Sequence, residues 1–292
     1  MAGITQADDW PNAVRLAKRR MGLADRIGLE ERLDALQVLA WGSIQLGELD
    51  EALAAADAAM AQLQPGQNMT FAVAGASWSA YGRALQGDWT LTAASVDDLR
   101  RRWMDAGRPA AAYALQGILS GVDWARNRGD EASFDRWQPV ALEIITSYPR
   151  THPVAAIAAL LSLDMDGIAD VVIKHSRYPD RAHYVEHAAA LCADRGHPVP
   201  AASLDDVIDR AERAGLRVLE AQTRRLRGIQ TENVSDLAAA LAGFDAMGAG
   251  RYAARSRVAL GLLTGDSTLV ASGNRQMAEL GEGDLLPVIK RR

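Results

Sequence analysis

The chain has 292 residues, 49% hydrophobic and 24% charged, with a formal net charge of −5. This composition excludes a disordered or low-complexity chain and argues against a dedicated nucleic-acid binder, whose phosphate contacts need surplus clustered Lys and Arg. One cysteine, Cys192, cannot make an internal disulfide, and no stretch reaches the roughly 18 apolar residues of a membrane span, so the expectation is a soluble, cytoplasmic protein with neither membrane nor direct nucleic-acid partners.

The first ten residues are polar and acidic, unlike a secretory leader. Asp8-Asp9-Trp10-Pro11 puts a proline in the first turn of a helix behind acidic caps. Downstream, Leu53, Ala56, Met60 and Leu63 fall on one helical face, as do Ala74, Ser77, Trp78, Tyr81 and Leu85, and later Leu237, Leu241 and Phe244. These spacings are three and four, not two, and therefore helical. Alanine, the best helix former, is abundant throughout. The nearest approach to a strand, Val171-Val172-Ile173, is three residues long.

Glycines punctuate this pattern at Gly47, Gly87, Gly129, Gly167, Gly196, Gly228 and Gly265, at intervals of 40, 42, 38, 29, 32 and 37 residues. Such a period marks helix hairpins repeated along a solenoid. Glycine takes the left-handed conformation that ends one helix, and an Asp or Ser behind it caps the next. A lone hairpin cannot bury its apolar face and must stack on a neighbour. The segment Tyr148-Pro-Arg-Thr-His-Pro153 interrupts the helices, and Ser203-Leu-Asp-Asp206 opens another. The expected organisation is regular hairpins of about 40 residues over 1–150, then shorter, less regular ones over 151–292 that continue the same solenoid.

Several groups invite a chemical reading. His183 and His187 stand four apart on one helical face, the spacing a metal needs. The zinc-protease order is His-Glu-x-x-His, however, and here Glu186 adjoins the second histidine. Cys192 lies roughly 140° around the helix from that pair. The favoured reading is two histidines on a polar face. Asp164-Met-Asp166-Gly167 begins like a calcium loop, but Ile168 and His175 occupy its fifth and twelfth positions. Gly75-Ala-Ser-Trp-Ser79 lacks the last glycine of a nucleophile elbow. The clusters Arg100-Arg101-Arg102, Arg224-Arg225 with Arg227, and Lys290-Arg291-Arg292 read as solvated helix faces or helix ends. Tryptophans are expected chiefly between stacked hairpins. If any line a groove, the candidates are Trp78, Tyr81, Trp103, Tyr113 and Trp124, with Arg83, Arg100 and Arg126 supplying charge.

Leu46-Gly-Glu-Leu-Asp-Glu-Ala-Leu53 resembles the turn between the two helices of a tetratricopeptide repeat, with Gly47 as its turn glycine and Ala59 as the small residue of the second helix. The repeats here exceed the usual length of about 34 residues. Two further segments are similar to the long, divergent repeat region of bacterial adenylate/guanylate cyclases and LuxR-type regulators of the MalT kind. They are Gly107–Gly117 continuing to Asp130, and Phe244–Arg255 continuing to Asp266. The resemblance implies an all-α fold, a right-handed superhelix of stacked antiparallel hairpins, in short a tetratricopeptide-like α-solenoid. In that family the catalytic modules lie outside the repeats, and no Gly-x-x-x-x-Gly-Lys-Ser/Thr loop occurs here. It therefore implies a non-catalytic sensor or scaffold region without a cofactor, receiving a protein or peptide partner or a small effector. Two alternatives stand beside it: a freestanding peptide-binding or homodimerising scaffold, and a helical metal-dependent enzyme using His183 and His187.

Overall fold

The computed structural model describes residues 9–64, 66–176 and 181–282. Among them fifteen α-helices follow one another with no strand between. They are α1 (Trp10–Met21), α2 (Leu29–Gln45), α3 (Leu49–Ala61), α4 (Met69–Gln86), α5 (Trp89–Asp105), α6 (Leu115–Arg128), α7 (Glu131–Thr146), α8 (Ala158–Ser162), α9 (Met165–His175), α10 (Ala182–Arg195), α11 (Ala201–Ala214), α12 (Arg217–Thr231), α13 (Val234–Met247), α14 (Gly250–Thr264) and α15 (Ser267–Glu279). None is long and apolar enough to cross a membrane.

Helices adjacent in sequence pack together: α1 on α2, α2 on α3, α9 on α10, and each of α11 to α14 on the next. Other contacts skip one helix, with α5 on α7, α9 on α11 and α10 on α12. Both sets are required when each hairpin leaves an apolar stripe that the following hairpin covers. The chain divides into two compact units. The first runs to Ala155, apart from 85–87 and 127–129, which group with the second, itself beginning at Ala156.

Helix starts follow local chemistry. The side chains of Asp9, Asp88, Asp130, Asp164, Asn233 and Asp266 each accept a hydrogen bond from a backbone N–H in the first turn that follows. Each such cap is worth about 1 kcal/mol. Pro11 occupies the first turn of α1 as expected. Helix α11 begins at Ala201, two residues before the expected Ser203, because Pro200 stops the preceding segment and sets its start.

Within the first unit, α4 is buried almost all round, and Gly117 of α6 lies against it. A Cβ at Gly117 would stand 2.8 Å from the Ser77 carbonyl oxygen. The Gly117 N–H also donates to Ser77 Oγ at 3.0 Å, so two helix backbones meet where only glycine fits. The buried stripe of α3 is Leu49, Ala52, Ala56 and Ala59, whereas Leu53 and Met60 are half-buried. The expected stripe is thus rotated, because closely packed helices leave room for alanine at the contact and not for longer side chains. Trp41 stacks on Trp78 with centroids 5.5 Å apart and meets Trp10 edge-on at 4.6 Å.

The turn inside each hairpin is made by a residue with positive φ: Gly47, Gly87, Gly129, Leu163, Gly196, Glu232 and Gly265. Two of the expected turn glycines are therefore elsewhere. Gly167 lies in the first turn of α9, and Gly228 lies inside α12. Leu163 and Glu232 adopt the left-handed conformation in their place, with φ of 55° and 53°. Gly228 is a crossing residue: a Cβ there would come 2.8 Å from Leu237 Cγ. The turns fall at intervals of 40, 42, 34, 33, 36 and 33 residues.

Candidate functional site

The second unit holds an ionic cluster that is almost wholly withdrawn from solvent. Asp194 is on the last turn of α10, Arg225 on α12, and Arg251 and Arg255 one helical turn apart on α14. Glu282 completes the set from beyond α15. The left-handed Gly281 (φ 64°) turns the chain there, and the Glu282 N–H donates to the Met277 carbonyl at 2.9 Å. α10, α12 and α14 are the first helices of successive hairpins, so the same face of the repeat contributes a charged residue three times. Asp194, Arg225 and Arg255 are separated by 31 and 30 residues, about one repeat each.

The pairing is specific. Asp194 accepts from Arg225 Nη2 through one oxygen and from Arg255 Nη1 through the other. Arg255 turns its remaining edge to Glu282, with Nε to Oε2 at 2.8 Å and Nη2 to Oε1 at 2.9 Å. Arg251 Nε also donates to Glu282. The paired Arg255–Glu282 contact is the bidentate geometry of carboxylate recognition. Burial works to raise the Glu282 pKa, and Arg251 and Arg255 outweigh it, holding the carboxyl below its ordinary value. The Tyr252 ring lies 5.5 Å from the Arg251 guanidinium and 5.7 Å from that of Arg255.

Arg225 is the exception in this network. Its side chain is 0% exposed, yet among the described residues Nε and Nη1 have no hydrogen-bond partner. Each buried unsatisfied donor of a charged group costs about 1–3 kcal/mol or more. The five side chains are three guanidiniums and two carboxylates, and Glu186, a third carboxylate, is buried on the same helix as Asp194. Gln222, one turn before Arg225, is buried, and its Oε1 has no partner among the described residues.

The expected solvated face at Arg224, Arg225 and Arg227 is corrected accordingly. Arg224 and Arg227 point outward and bind Asp236, with Arg227 Nη2 to Oδ1 at 2.6 Å and Arg224 Nη1 to Oδ1 at 3.2 Å. Arg225 points the other way, because one residue turns a helix by about 100°. Lys290, Arg291 and Arg292 lie outside the described residues.

His183 and His187 are likewise not on a polar surface. Both are buried on α10, which is buried from Ala182 to Asp194. Desolvation, with the nearby His187, drives the His183 pKa well below the ordinary histidine value, and neither of its ring nitrogens has a hydrogen-bond partner among the described residues. Burial pushes the Cys192 thiol up to about 12. Among the described residues, no group of three or more His, Cys, Asp or Glu side chains is placed to hold a metal ion.

The eight groove candidates do not converge. Trp78, Tyr81, Trp103 and Trp124 are buried. Trp124 meets Trp89 edge-on at 5.3 Å, and Trp103 Nε1 donates to the Pro109 carbonyl at 2.9 Å. Their large apolar area is spent between helices. Tyr113 is half-buried, and burial raises its phenol pKa. Arg126 rests on the Phe134 ring at 5.2 Å. Arg83 lines a polar pocket of about 250 Å³ among α3, α4 and α5, donating to Ser95 Oγ at 2.7 Å and to Asp57 at 3.5 Å. Arg100 lines a second, more open depression of about 540 Å³ with Asp97, Asp98, Arg101 and Arg136.

Sequence reasoning missed Asp194, Arg225, Arg251, Arg255 and Glu282 as a group. The available signal was Arg251-x-x-x-Arg255 within an Ala-rich helix, one repeat after Arg225. No family model, curated protein or solved structure matches the chain.

Proposed function

We propose that the chain is a non-catalytic, effector- or protein-binding repeat region of a bacterial signalling protein, of the kind that accompanies adenylate/guanylate cyclases and LuxR-type regulators. In this reading the hairpins form a right-handed, tetratricopeptide-like superhelix that works in the cytoplasm. The observation that carries the proposal is the recurrent unit itself. A helix, a left-handed turn residue and a second helix repeat every 33–42 residues, and first helices such as α10 and α12 stack directly. Each unit depends on its neighbours for burial, so ligand binding to one hairpin biases the packing of the next and shifts the population of an attached module. The test is deletion of residues 9–282 in the cell, with the output of the attached module measured under changing inputs. The expected result is an output that no longer responds. Regulation that survives the deletion unchanged overturns the proposal.

A further inference from the structure

Two successive hairpin junctions of the first unit hold a carboxylate at the same repeat position and surround it differently. Asp57 on α3 stands ten residues after the turn residue Gly47, and Asp97 on α5 stands ten after Gly87. Asp97 is closed off by the next second helix, α7. Arg136 Nη1 donates to one of its oxygens at 2.9 Å, and Trp137 Nε1 donates to the other at 2.8 Å. Trp137 lies against Gly121 of α6, where a Cβ would come 3.1 Å from its ring. The depression beside Asp97 stays at the surface, and none of its lining residues comes from α6.

At Asp57 the corresponding positions are small. Ala94 and Ser95 of α5 stand where α7 has Arg136 and Trp137, seven and eight residues past the turn. A pocket of about 250 Å³ is left, with Ala76, Ser79 and Arg83 of α4 as its floor and α3 and α5 as its walls. Asp57 Oδ1 accepts from Ser79 Oγ at 3.2 Å and from Arg83 Nη2 at 3.5 Å, and Oδ2 has no partner among the described residues. On the α5 wall Arg102 spends Nε on Asp98 at 2.6 Å, and its two terminal nitrogens have no partner among the described residues. Asp98 is engaged by Arg101 as well. Asp57 thus offers an open acceptor on one wall, and Arg102 offers open donors on the other.

We propose that this pocket binds an α-amino acid with a large apolar side chain. Its ammonium lies on Asp57 Oδ2, its carboxylate on the terminal nitrogens of Arg102, and its side chain in the volume that Trp137 fills one repeat later. Two guanidiniums and two carboxylates line the pocket, so a ligand of single sign meets like charge there, whereas a zwitterion meets opposite charge at each end. The two terminal nitrogens of Arg102 match the two oxygens of a carboxylate. Met60, Ala76 and Ala94 supply the apolar part of the lining. The walls belong to successive hairpins, so the bound amino acid ties α3 to α5 and biases how the two pack. This gives the proposed sensor an effector class, and that effector role rests on the sensor reading.

The test is calorimetry on the full chain with L-tryptophan and three relatives that each lack one part. Tryptamine lacks the carboxylate, indole-3-propionate the ammonium, and L-alanine the large side chain. L-Tryptophan should bind saturably with a Kd of about 1 mM or tighter, and each relative at least about tenfold more weakly. Asp57→Asn should remove the advantage over indole-3-propionate, and Arg102→Gln the advantage over tryptamine. Both side chains are partly exposed, so both variants keep the fold. Ser95→Trp, which carries the residue of the following repeat, should abolish binding; if it does not fold, the other two variants decide. The proposal is overturned if L-tryptophan shows no saturation up to about 10 mM, or if either surface variant keeps the wild-type affinity and preference. Absent binding, together with an output that deletion of residues 9–282 uncouples, removes the site and leaves the repeat-region reading standing. Saturable binding, together with an output indifferent to that deletion, keeps the site and removes the reading.

Discussion

Replacing Asp194 by alanine tests the ionic cluster most directly. Among the described residues Asp194 is the only hydrogen-bond partner of Arg225 and one of the partners of Arg255, and both arginines are at most 1% exposed. Its removal leaves Arg225 as a buried cation with no acceptor, while Arg255 keeps Glu282 at 2.8 and 2.9 Å. Breaking a buried pair by deleting one partner costs about 3–5 kcal/mol, a large share of a typical stability of about 5–15 kcal/mol. With an m-value of about 3 kcal/mol/M in urea, the midpoint followed by circular dichroism at 222 nm falls by about 1 M or more. The double variant Asp194→Leu/Arg225→Met removes both charges and should recover most of that loss, because a buried pair replaced by apolar groups is close to neutral. A loss under about 1 kcal/mol for Asp194→Ala, or a double variant no better than the single, would refute the assignment of Arg225 as a cation that depends on Asp194.

Glu282 makes stability depend on pH. Its folded-state pKa lies below its unfolded value, so in acid the unfolded chain binds the extra proton. The stabilisation is present above the ordinary glutamate pKa and is lost as pH falls through the depressed folded value. Glu282→Gln should flatten this part of the stability profile in urea titrations, and an unchanged acid limb contradicts the pairing. Gly228→Ala should cost about 1–3 kcal/mol, because its Cβ would meet Leu237 Cγ at 2.8 Å and the Leu237 backbone nitrogen at 3.1 Å. At Gly248 nothing lies within 4 Å but φ is +69°, so alanine costs about 1 kcal/mol and asparagine less, which denaturant melts of the three variants can separate. His183→Phe should leave stability at neutral pH unchanged or raised, since both imidazole nitrogens are buried unpaired; a fall above about 2 kcal/mol in thermal melts counts against that description.

Much of the local structure could be read from the chain alone, because its causes are local. Helical spacing, the caps at Asp9, Asp88, Asp130 and Asp266, and the left-handed turns at Gly47, Gly87, Gly129, Gly196 and Gly265 all act within a few residues. Tertiary packing decided what remained ambiguous. Gly167 and Gly228 are the same residue type as the turn glycines, yet Gly228 is required by Leu237 of the next helix and the actual turns use Leu163 and Glu232. Arg224, Arg225 and Arg227 form one basic cluster in sequence, but packing sends Arg225 inward and the other two to Asp236. The hydropathy pattern gave no warning, because α10 and α14 are buried nearly all round and bury charge along with alanine. Sequence alone determined the helices and most of their ends, since capping and periodicity are short-range. Only the tertiary structure brought Asp194, Arg225, Arg255 and Glu282 together, since ion pairs between residues 27 to 61 positions apart exist only once the hairpins have stacked.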